Sequence, residues 1–167
     1  MTELKPDFHE VLARTEGPQT TLDVFRRWNE AIDAQDLKAV RSCMADDILV
    51  EIPFSESGQV EKGKFRSYSG IDAATEFWAV AFTAEGESAG PCNCEITLSA
   101  DGMTVFLETY GKLTMATGRD YRNRYIMKMV TENGLVKHVR EYYNPIQSAY
   151  AFGRPIAGHI TVESLSV

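Results

Sequence analysis

The chain has 167 residues, of which 44% are hydrophobic and 25% are charged, and its formal net charge is -7. This composition is typical of one globular protein with a sizeable core, so we expect a single domain over residues 1–167. The negative charge and the lack of a Lys/Arg cluster argue against nucleic acid as a partner. No apolar run approaches the roughly 18 residues that a membrane span needs, so no membrane partner is expected. The polar N-terminal residues lack a secretory apolar stretch, which predicts a cytoplasmic location.

The cysteines and histidines are scattered along the chain, three of each. Neither residue type forms a group with Asp or Glu at the spacing of a metal site, and the cysteines do not make a disulfide framework. We therefore expect no metal and no cofactor.

Two helices are predicted after a loosely patterned lead-in over residues 1–18. Thr20 or Thr21 can cap the first helix, which should end near Gln35, and Asp36 can cap a shorter second helix. The first helix has apolar residues at three- and four-residue steps, namely Leu22, Phe25, Trp28 and Ile32. This spacing predicts one apolar face turned toward a core.

A strand is predicted over residues 48–54, where apolar residues alternate with others up to Phe54. Pro53 lacks the N–H that a strand ladder needs, so the strand should stop there or lie at an edge. The polar segment 55–64 is expected to be a loop at the rim of a site, and a short strand can follow over residues 65–68.

The third predicted helix covers residues 72–84, with Asp72 as its cap and with the aromatic residues Phe77, Trp78 and Phe82. Residues 85–91 are rich in turn formers and are expected to be a connection. Strands are predicted over 93–99 and 103–115, and Gly111 inside the second one suggests a bend or bulge. Helices followed by a strongly bent antiparallel sheet indicate an α+β domain with the helices on the concave face.

The last two strands form a hairpin over residues 120–145, with its turn at Asn133-Gly134. A two-residue turn would pair Tyr125 with Tyr142, whereas a three-residue turn would pair Tyr125 with Glu141. We expect the second register because it separates an apolar face from a charged face. The apolar face would then carry Asn123, Tyr125, Met127, Met129, Val139, Glu141 and Tyr143.

Glu141 is the one carboxylate on that apolar face. A buried acid without a cationic partner is either hydrogen-bonded or has a raised pKa. One interpretation is structural, with Glu141 hydrogen-bonded to Tyr125 or to a backbone amide. The other makes Glu141 the acid or base of a pocket for a small molecule.

Five segments in this order resemble the cone-shaped fold of nuclear transport factor 2 and ketosteroid isomerase, nearest to its SnoaL-like branch and to phenazine-biosynthesis A/B-type proteins. The segments are AIDAQDLKAV at 31–40, ADDILVEIPF at 45–54, YSGIDAATEFW at 68–78, GKLTMATGRDYRNRY at 111–125 and NGLVKHVREYYNP at 133–145. The resemblance implies a pocket between the third helix and the concave sheet face, walled by the first helix. It also implies that Glu141 acts as an acid. Phe77 and Ala81 occupy the positions of a His and a Ser in the phenazine-type relatives, so the chain departs from their substrate-binding pattern and the phenazine reaction itself is not expected.

The function expected from these residues is that of a cofactor-free enzyme that isomerises, cyclises or dehydrates a hydrophobic small molecule, as in secondary metabolism. The expected catalytic residues are Glu141 as acid or base, with Tyr125 and Asn123 as hydrogen-bond donors. The expected substrate-binding residues are Trp28, Phe54, Phe77, Phe82, Met127 and Tyr143. The alternatives are a binding protein with an inert pocket, or a dimeric scaffold.

The outer face of the hairpin and its neighbour holds more apolar area than a monomer normally exposes. Its apolar members are Phe106, Tyr110, Ile126 and Tyr142. We therefore expect a homodimer through this face. The core is expected to cover residues 20–145, and the tail over 146–167, opened by a helical turn at Pro145, can act as a lid on the pocket.

Overall fold

The computed structural model describes residues 4–155 and contains five helices and seven strands in that range. The helices are α1 (Phe8–Leu12), α2 (Gln19–Asp33), α3 (Leu37–Ser42), α4 (Ile71–Ala84) and α5 (Pro145–Phe152). The strands are β1 (Met44–Ile52), β2 (Arg66–Ser69), β3 (Glu85–Ser88), β4 (Cys92–Leu98), β5 (Thr104–Met115), β6 (Asp120–Glu132) and β7 (Leu135–Tyr143).

The strands form one curled half-barrel sheet in the order β2-β1-β7-β6-β5-β3, and β4 pairs with β5 beside β3. The predicted α+β class with a curved sheet is confirmed. The sheet is mixed, however, because β1 and β7 are parallel while the other described pairs are antiparallel. No hairpin joins these two strands, since the rest of the sheet lies between them in the chain, and a long connection permits parallel pairing.

The core lies between the concave sheet face and the helices. The amphipathic helix α2 buries Phe25 and Trp28 completely and packs on β5, β6 and β7. Helix α4 packs on β1 and β2, and the sheet contributes buried residues such as Val50 and Met129. The sheet and these two helices therefore wall a space that opens toward α5.

The helix boundaries agree with the predicted pattern except at their caps. Asp36 caps α3, its carboxylate accepting the Ala39 N–H at 3.0 Å. Helix α2 begins after Pro18, and the expected cap Thr21 is instead buried within 3.2 Å of the Thr131 hydroxyl. Helix α4 begins after Gly70, whose φ of 87° only glycine adopts readily, so Asp72 is not its cap. Helix α1 lies in the segment that the sequence predicted as a lead-in.

The hairpin of β6 and β7 has a different register from the expected one. Asn133 and Gly134, both with positive φ, form a two-residue turn, and the ladder shifts by one residue beyond Val136 because Lys137 is bulged out of the pairing. Glu141 therefore pairs with Met127, and Tyr125 pairs with Tyr143. The difference from the predicted pairs is two residues, and a shift by two leaves every side chain on its predicted face.

Candidate active site

A cavity of about 390 Å³, here called the main cavity, lies beside the concave face of the sheet. Its walls come from α4, from the inner face of β6 and β7, from β2 and from α5. A second cavity of about 160 Å³ lies between α2 and β5. Four residues line both cavities, namely Trp78, Glu85, Tyr125 and Glu141. These residues form the boundary between the two spaces.

Glu141 lies near the C-terminal end of β7 and lines both cavities. Burial, together with the negative charge of Glu85, raises the pKa of its carboxyl to about 7, although the positive charge of Arg66 partly opposes this shift. No hydrogen bond from another described residue stabilises the charged form. Glu141 is thus a carboxyl that can hold or release a proton near neutral pH.

Glu85 lies at the junction where α4 passes directly into β3. Gly86 makes this junction fit, because a Cβ at that position would lie 2.5 Å from the backbone oxygen of Thr114 on β5. The close approach of β3 to β5 turns the Glu85 carboxyl into the cavity boundary, and burial raises its pKa to about 7. The site therefore contains two carboxyls whose pKa values lie near neutrality.

Tyr125 leans over Gly111 on the neighbouring strand. A Cβ at Gly111 would lie 2.7 Å from Cε2 of the Tyr125 ring, so a larger residue there would displace that ring. The pairing of β5 with β6 runs without a register shift past Gly111, so the predicted bulge is absent from this pair. Burial, together with the nearby Tyr121 and Glu141, raises the pKa of Tyr125 well above its usual range. Tyr125 consequently remains a protonated hydroxyl that can donate a hydrogen bond.

The end of the main cavity near β2 is polar. Arg66 donates to Glu56 Oε2 and to the Tyr143 hydroxyl, each at 3.2 Å, and also to the Tyr68 hydroxyl. Burial tends to raise the pKa of Glu56, but hydrogen bonds from Ser148 and the backbone, with Arg66 and Arg154 nearby, lower it overall. Glu56 is therefore an ionised carboxylate buried behind the cavity wall.

Helix α5 closes the opposite side of this polar end. Asn144 caps the helix, and the Ser148 hydroxyl donates to Glu56 Oε1 at 2.7 Å. The residues Ser148, Phe152 and Arg154 line the main cavity. The predicted helical turn at Pro145 is present, while Ile156 and the rest of the predicted tail lie outside the described residues.

Of the residues predicted for the site, Phe77, Tyr125, Glu141 and Tyr143 line the main cavity. Ala81, at the position of the Ser in the phenazine-type relatives, lines it as well. Trp28 and Met127 line the second cavity. The roles of these residues remain predictions.

Three predicted site residues line neither cavity. Phe54 follows the end of β1, where the alternation of the strand no longer applies, and its side chain is 55% exposed and packs on Tyr142 of the outer face, with ring centroids 5.2 Å apart. Phe82 packs in the core beside Trp78. Asn123 donates to the Tyr121 hydroxyl and to the Asn144 carbonyl, so both of its amide hydrogens are already used in holding the start of α5.

The prediction from the sequence did not include three residues that the fold brings to the site, namely Glu85, Glu56 and Arg66. Glu56 lies in the segment expected to be a rim loop, and Arg66 lies in the short strand after it. A charged residue at the end of the apolar helix α4, followed by Gly86, was the one local signal for Glu85. No local pattern marks Glu56, because its partners lie on β2 and α5.

The outer sheet face carries a cluster of its own. Glu51 of β1 is buried there, accepting from Arg140 at 2.6 Å and lying 2.7 Å from His138 Nε2. Beside it, Ile126 is exposed, and the guanidinium of Arg124 lies 4.4 Å from the centre of the Tyr110 ring.

In the part of the chain that the structure describes, no helix is long and apolar enough to cross a membrane.

Solved structures share this fold at low sequence identity. A proposed isomerase from Bacillus subtilis is 20% identical and has a TM-score of 0.70, with 83% of this chain and 97% of that chain covered. A proposed polyketide cyclase from Xanthomonas campestris pv. campestris is 15% identical and has a TM-score of 0.65, with coverages of 80% and 97%. A phenazine biosynthesis-related protein from Pseudomonas aeruginosa is 17% identical and has a TM-score of 0.57, with coverages of 90% and 95%.

Identities of this size establish the fold and leave the reaction open. No curated protein matches the chain by sequence. The family model for the SnoaL-like domain matches residues 25–139, which include most of α2, all of α4 and most of the sheet. This chain belongs to the family of SnoaL-like domains.

Proposed function

We propose that this protein is a cofactor-free enzyme that acts on a hydrophobic small molecule by general acid–base catalysis. The observation that carries the proposal is the pair of carboxyls, Glu85 and Glu141, at the boundary of the two cavities, each with a pKa raised to about 7. A carboxyl at its ordinary pKa is a weak base and is rarely protonated at neutral pH. Groups with a pKa near the operating pH can serve in both protonation states.

The negative charge of Glu85 raises the pKa of Glu141, so the protonation states of the two carboxyls depend on each other. Near neutral pH such a pair holds roughly one proton, so one member can accept a proton from the substrate while the other donates one. This proton transfer suits an isomerisation through an enol, a cyclisation or a dehydration. In each reaction a C–H or O–H proton is removed at one atom and a proton is added at another.

The hydroxyls of Tyr125 and Tyr143 would donate hydrogen bonds to a carbonyl oxygen of the substrate as negative charge develops on it. Both tyrosines line the main cavity, and burial raises the pKa of each, so they remain protonated during such a reaction. Asn123 has no part in this proposal because its amide hydrogens are used within the protein.

The walls of the main cavity suit an apolar substrate. Tyr68 and Phe77 stack with ring centroids 4.6 Å apart, and Phe77 contacts Trp78 edge-on. A volume of about 390 Å³ lies at the lower end of the range for sites that bind small molecules. Relatives of the same fold that are described as isomerases and polyketide cyclases support a role in secondary metabolism.

A second candidate is a binding protein whose Glu141 has only a structural role. That interpretation predicted that Glu141 accepts a hydrogen bond from Tyr125 or from a backbone amide. Neither contributes to the pKa of Glu141 within the described residues, which favours the enzyme.

A third candidate, the dimeric scaffold, rests on the exposed Ile126 of the outer face and is compatible with an enzyme. We also propose that the protein is a cytoplasmic homodimer.

Proton exchange at carbon tests the enzyme directly. The protein is incubated in D₂O with the ketones 2-tetralone and 1-indanone, and deuterium uptake beside the carbonyl is followed by proton NMR. We expect catalysed exchange that is lost in Glu141→Gln and strongly reduced in Glu85→Gln. The matched control Glu95→Gln, on an exposed position of β4, should keep full activity. Ketones that bind without any exchange would support the inert binding protein instead.

A further inference from the structure

Two arginines share one carboxylate at the polar end of the main cavity. Arg66 Nη1 lies 3.2 Å from Glu56 Oε2, and Arg154 Nη1 lies 3.6 Å from Glu56 Oε1. Both arginines line the cavity. Among the described residues this group carries two positive charges and one negative charge, which leaves an excess of one positive charge.

The exposed part of this group is its cationic part. The side chain of Glu56 is 7% exposed, whereas those of Arg66 and Arg154 are 24% and 34% exposed. Arg66 donates to Oε2 of Glu56, whereas the Ser148 hydroxyl donates to the other carboxylate oxygen, Oε1. A molecule in the cavity therefore meets the guanidinium groups, while the carboxylate that holds them lies behind.

The two guanidinium groups are held in place before any ligand arrives. Arg66 is fixed by hydrogen bonds to Tyr68 and Tyr143 and lies 5.8 Å from the centre of the Phe77 ring. Arg154 lies 4.3 Å from the centre of the Phe152 ring. In the described range, its guanidinium has one ion pair, with Glu56, at a distance longer than a good hydrogen bond. Preorganised donors reduce the entropy lost on binding, and a planar guanidinium matches a planar carboxylate.

We propose that the substrate carries a carboxylate that binds to Arg66 and Arg154, with its apolar body between Phe77 and Phe152. This orientation would direct the far end of the molecule toward Glu85 and Glu141. The last point rests on the proposed function, whereas the carboxylate site stands on the arginine group alone. The substrate class is thus a hydrophobic, ring-sized carboxylic acid.

Such a substrate would also change the pKa of Glu141, the proposed acid. Arg66 lowers the pKa of Glu141, in opposition to burial and to Glu85. A bound carboxylate offsets the charge of Arg66, so the pKa of Glu141 should rise further when the site is filled. The substrate would then keep Glu141 protonated at the moment when an acid is needed.

Calorimetric titration with two probes of nearly equal shape tests the site at pH 7.5. The probes are 2-naphthoate, which is ionised at this pH, and the neutral 2-naphthamide. We expect 2-naphthoate to bind at least about tenfold more tightly, a difference typical of one charge-assisted contact. Arg154→Gln should remove most of this preference and change the affinity for 2-naphthamide less than about twofold.

Arg124→Gln is the control, because it removes the same charge from the outer face. Arg66→Gln is a second test, read with circular dichroism because Arg66 also holds Glu56 and Tyr143. Undetectable binding of 2-naphthoate at millimolar concentration, equal affinities for both probes, or equal losses in Arg154→Gln and Arg124→Gln would each overturn the site. The preference should persist in Glu141→Gln. A preserved preference without any proton exchange would therefore reject the proposed chemistry and keep the carboxylate site.

Discussion

Glu85 and Glu141 line the same two cavities although one begins β3 directly after a helix and the other lies in the last strand. Each has a pKa raised to about 7, by burial at Glu85 and by burial together with the charge of Glu85 at Glu141. Two like charges in one poorly solvated place oppose each other, so the pair resists full ionisation near neutral pH. This relationship leads to the first two predictions.

The coupling between the two acids should be visible by NMR. In protein labelled with ¹³C at the glutamate side-chain carboxyls, two resonances should titrate near pH 7 and be assignable by loss in Glu85→Gln and in Glu141→Gln. Because Glu85→Gln removes a negative charge, the pKa of Glu141 should be lower in that variant. An unchanged or higher pKa of Glu141 would contradict the coupling.

The raised pKa of Glu141 should also make stability depend on pH. The folded state binds a proton at Glu141 more tightly than the unfolded state, whose pKa is the ordinary 4.5, so the free energy of unfolding falls as pH rises from 4.5 to about 7. The free energy of unfolding is measured in urea for both proteins. The advantage of Glu141→Gln over the unmodified protein should be larger at pH 8 than at pH 5 by about 1–3 kcal/mol.

The lowered pKa values of Glu51 and Glu56 do not interfere with that comparison, because their effects appear below the ordinary value of 4.5. The stability that these two carboxylates contribute to the folded state is fully present above pH 4.5 and is lost as the pH falls through their folded-state pKa. Identical pH profiles for Glu141→Gln and the unmodified protein between pH 5 and 8 would rule out the shift at Glu141.

Gly111→Ala should displace the ring of Tyr125, since the new Cβ would lie 2.7 Å from Cε2 of that ring. The neighbour is a side chain that can move, so we expect a small loss of stability of about 1 kcal/mol and a loss of about tenfold in affinity for 2-naphthamide. Calorimetry in the background Tyr125→Ala provides the control, because there the added methyl group meets no ring. An equal loss in both backgrounds would show that the effect does not pass through Tyr125.

Helix α5 should act as a lid. Truncation after Asn144 removes Ser148, Phe152 and Arg154 from the cavity wall, and with them the hydrogen bond to Glu56. The sheet should remain folded by circular dichroism, while the affinity for 2-naphthamide and the rate of proton exchange fall together. Truncation after Pro155 keeps these residues and is the matched control. A protein ending at Asn144 that keeps full affinity would remove the helix from the mechanism.

The outer sheet face should form a homodimer. Light scattering at micromolar concentration should give twice the mass of one chain, and Ile126→Asp should reduce it to the mass of one chain because it places a charge in a buried interface. Val60→Asp is the control, since Val60 is also exposed but lies in the loop between β1 and β2. A monomer mass for the unmodified protein would exclude this assembly.

The sequence by itself determined which hairpin side chains share the inner face. Side chains alternate along a strand with a period of two residues, so Tyr125 and Glu141 lie on one face whichever even shift the ladder takes. The same local regularity predicted α2 and α4 and the end of β1 before Pro53. It also predicted that an acid would lie among apolar side chains.

Only the tertiary structure decided which groups meet that acid. The bulge at Lys137 sets the pairs across the hairpin, and a bulge of one residue has no clear local signature. Glu85 reaches the site because Gly86 lets β3 approach β5, while Arg66, Glu56 and Arg154 come together from a strand, a loop and the residues after α5. Periodicity describes neighbours along one element, whereas these contacts depend on how separate elements pack around a cavity. The charge and the pKa values of the site therefore follow from the packing and not from any single stretch of the chain.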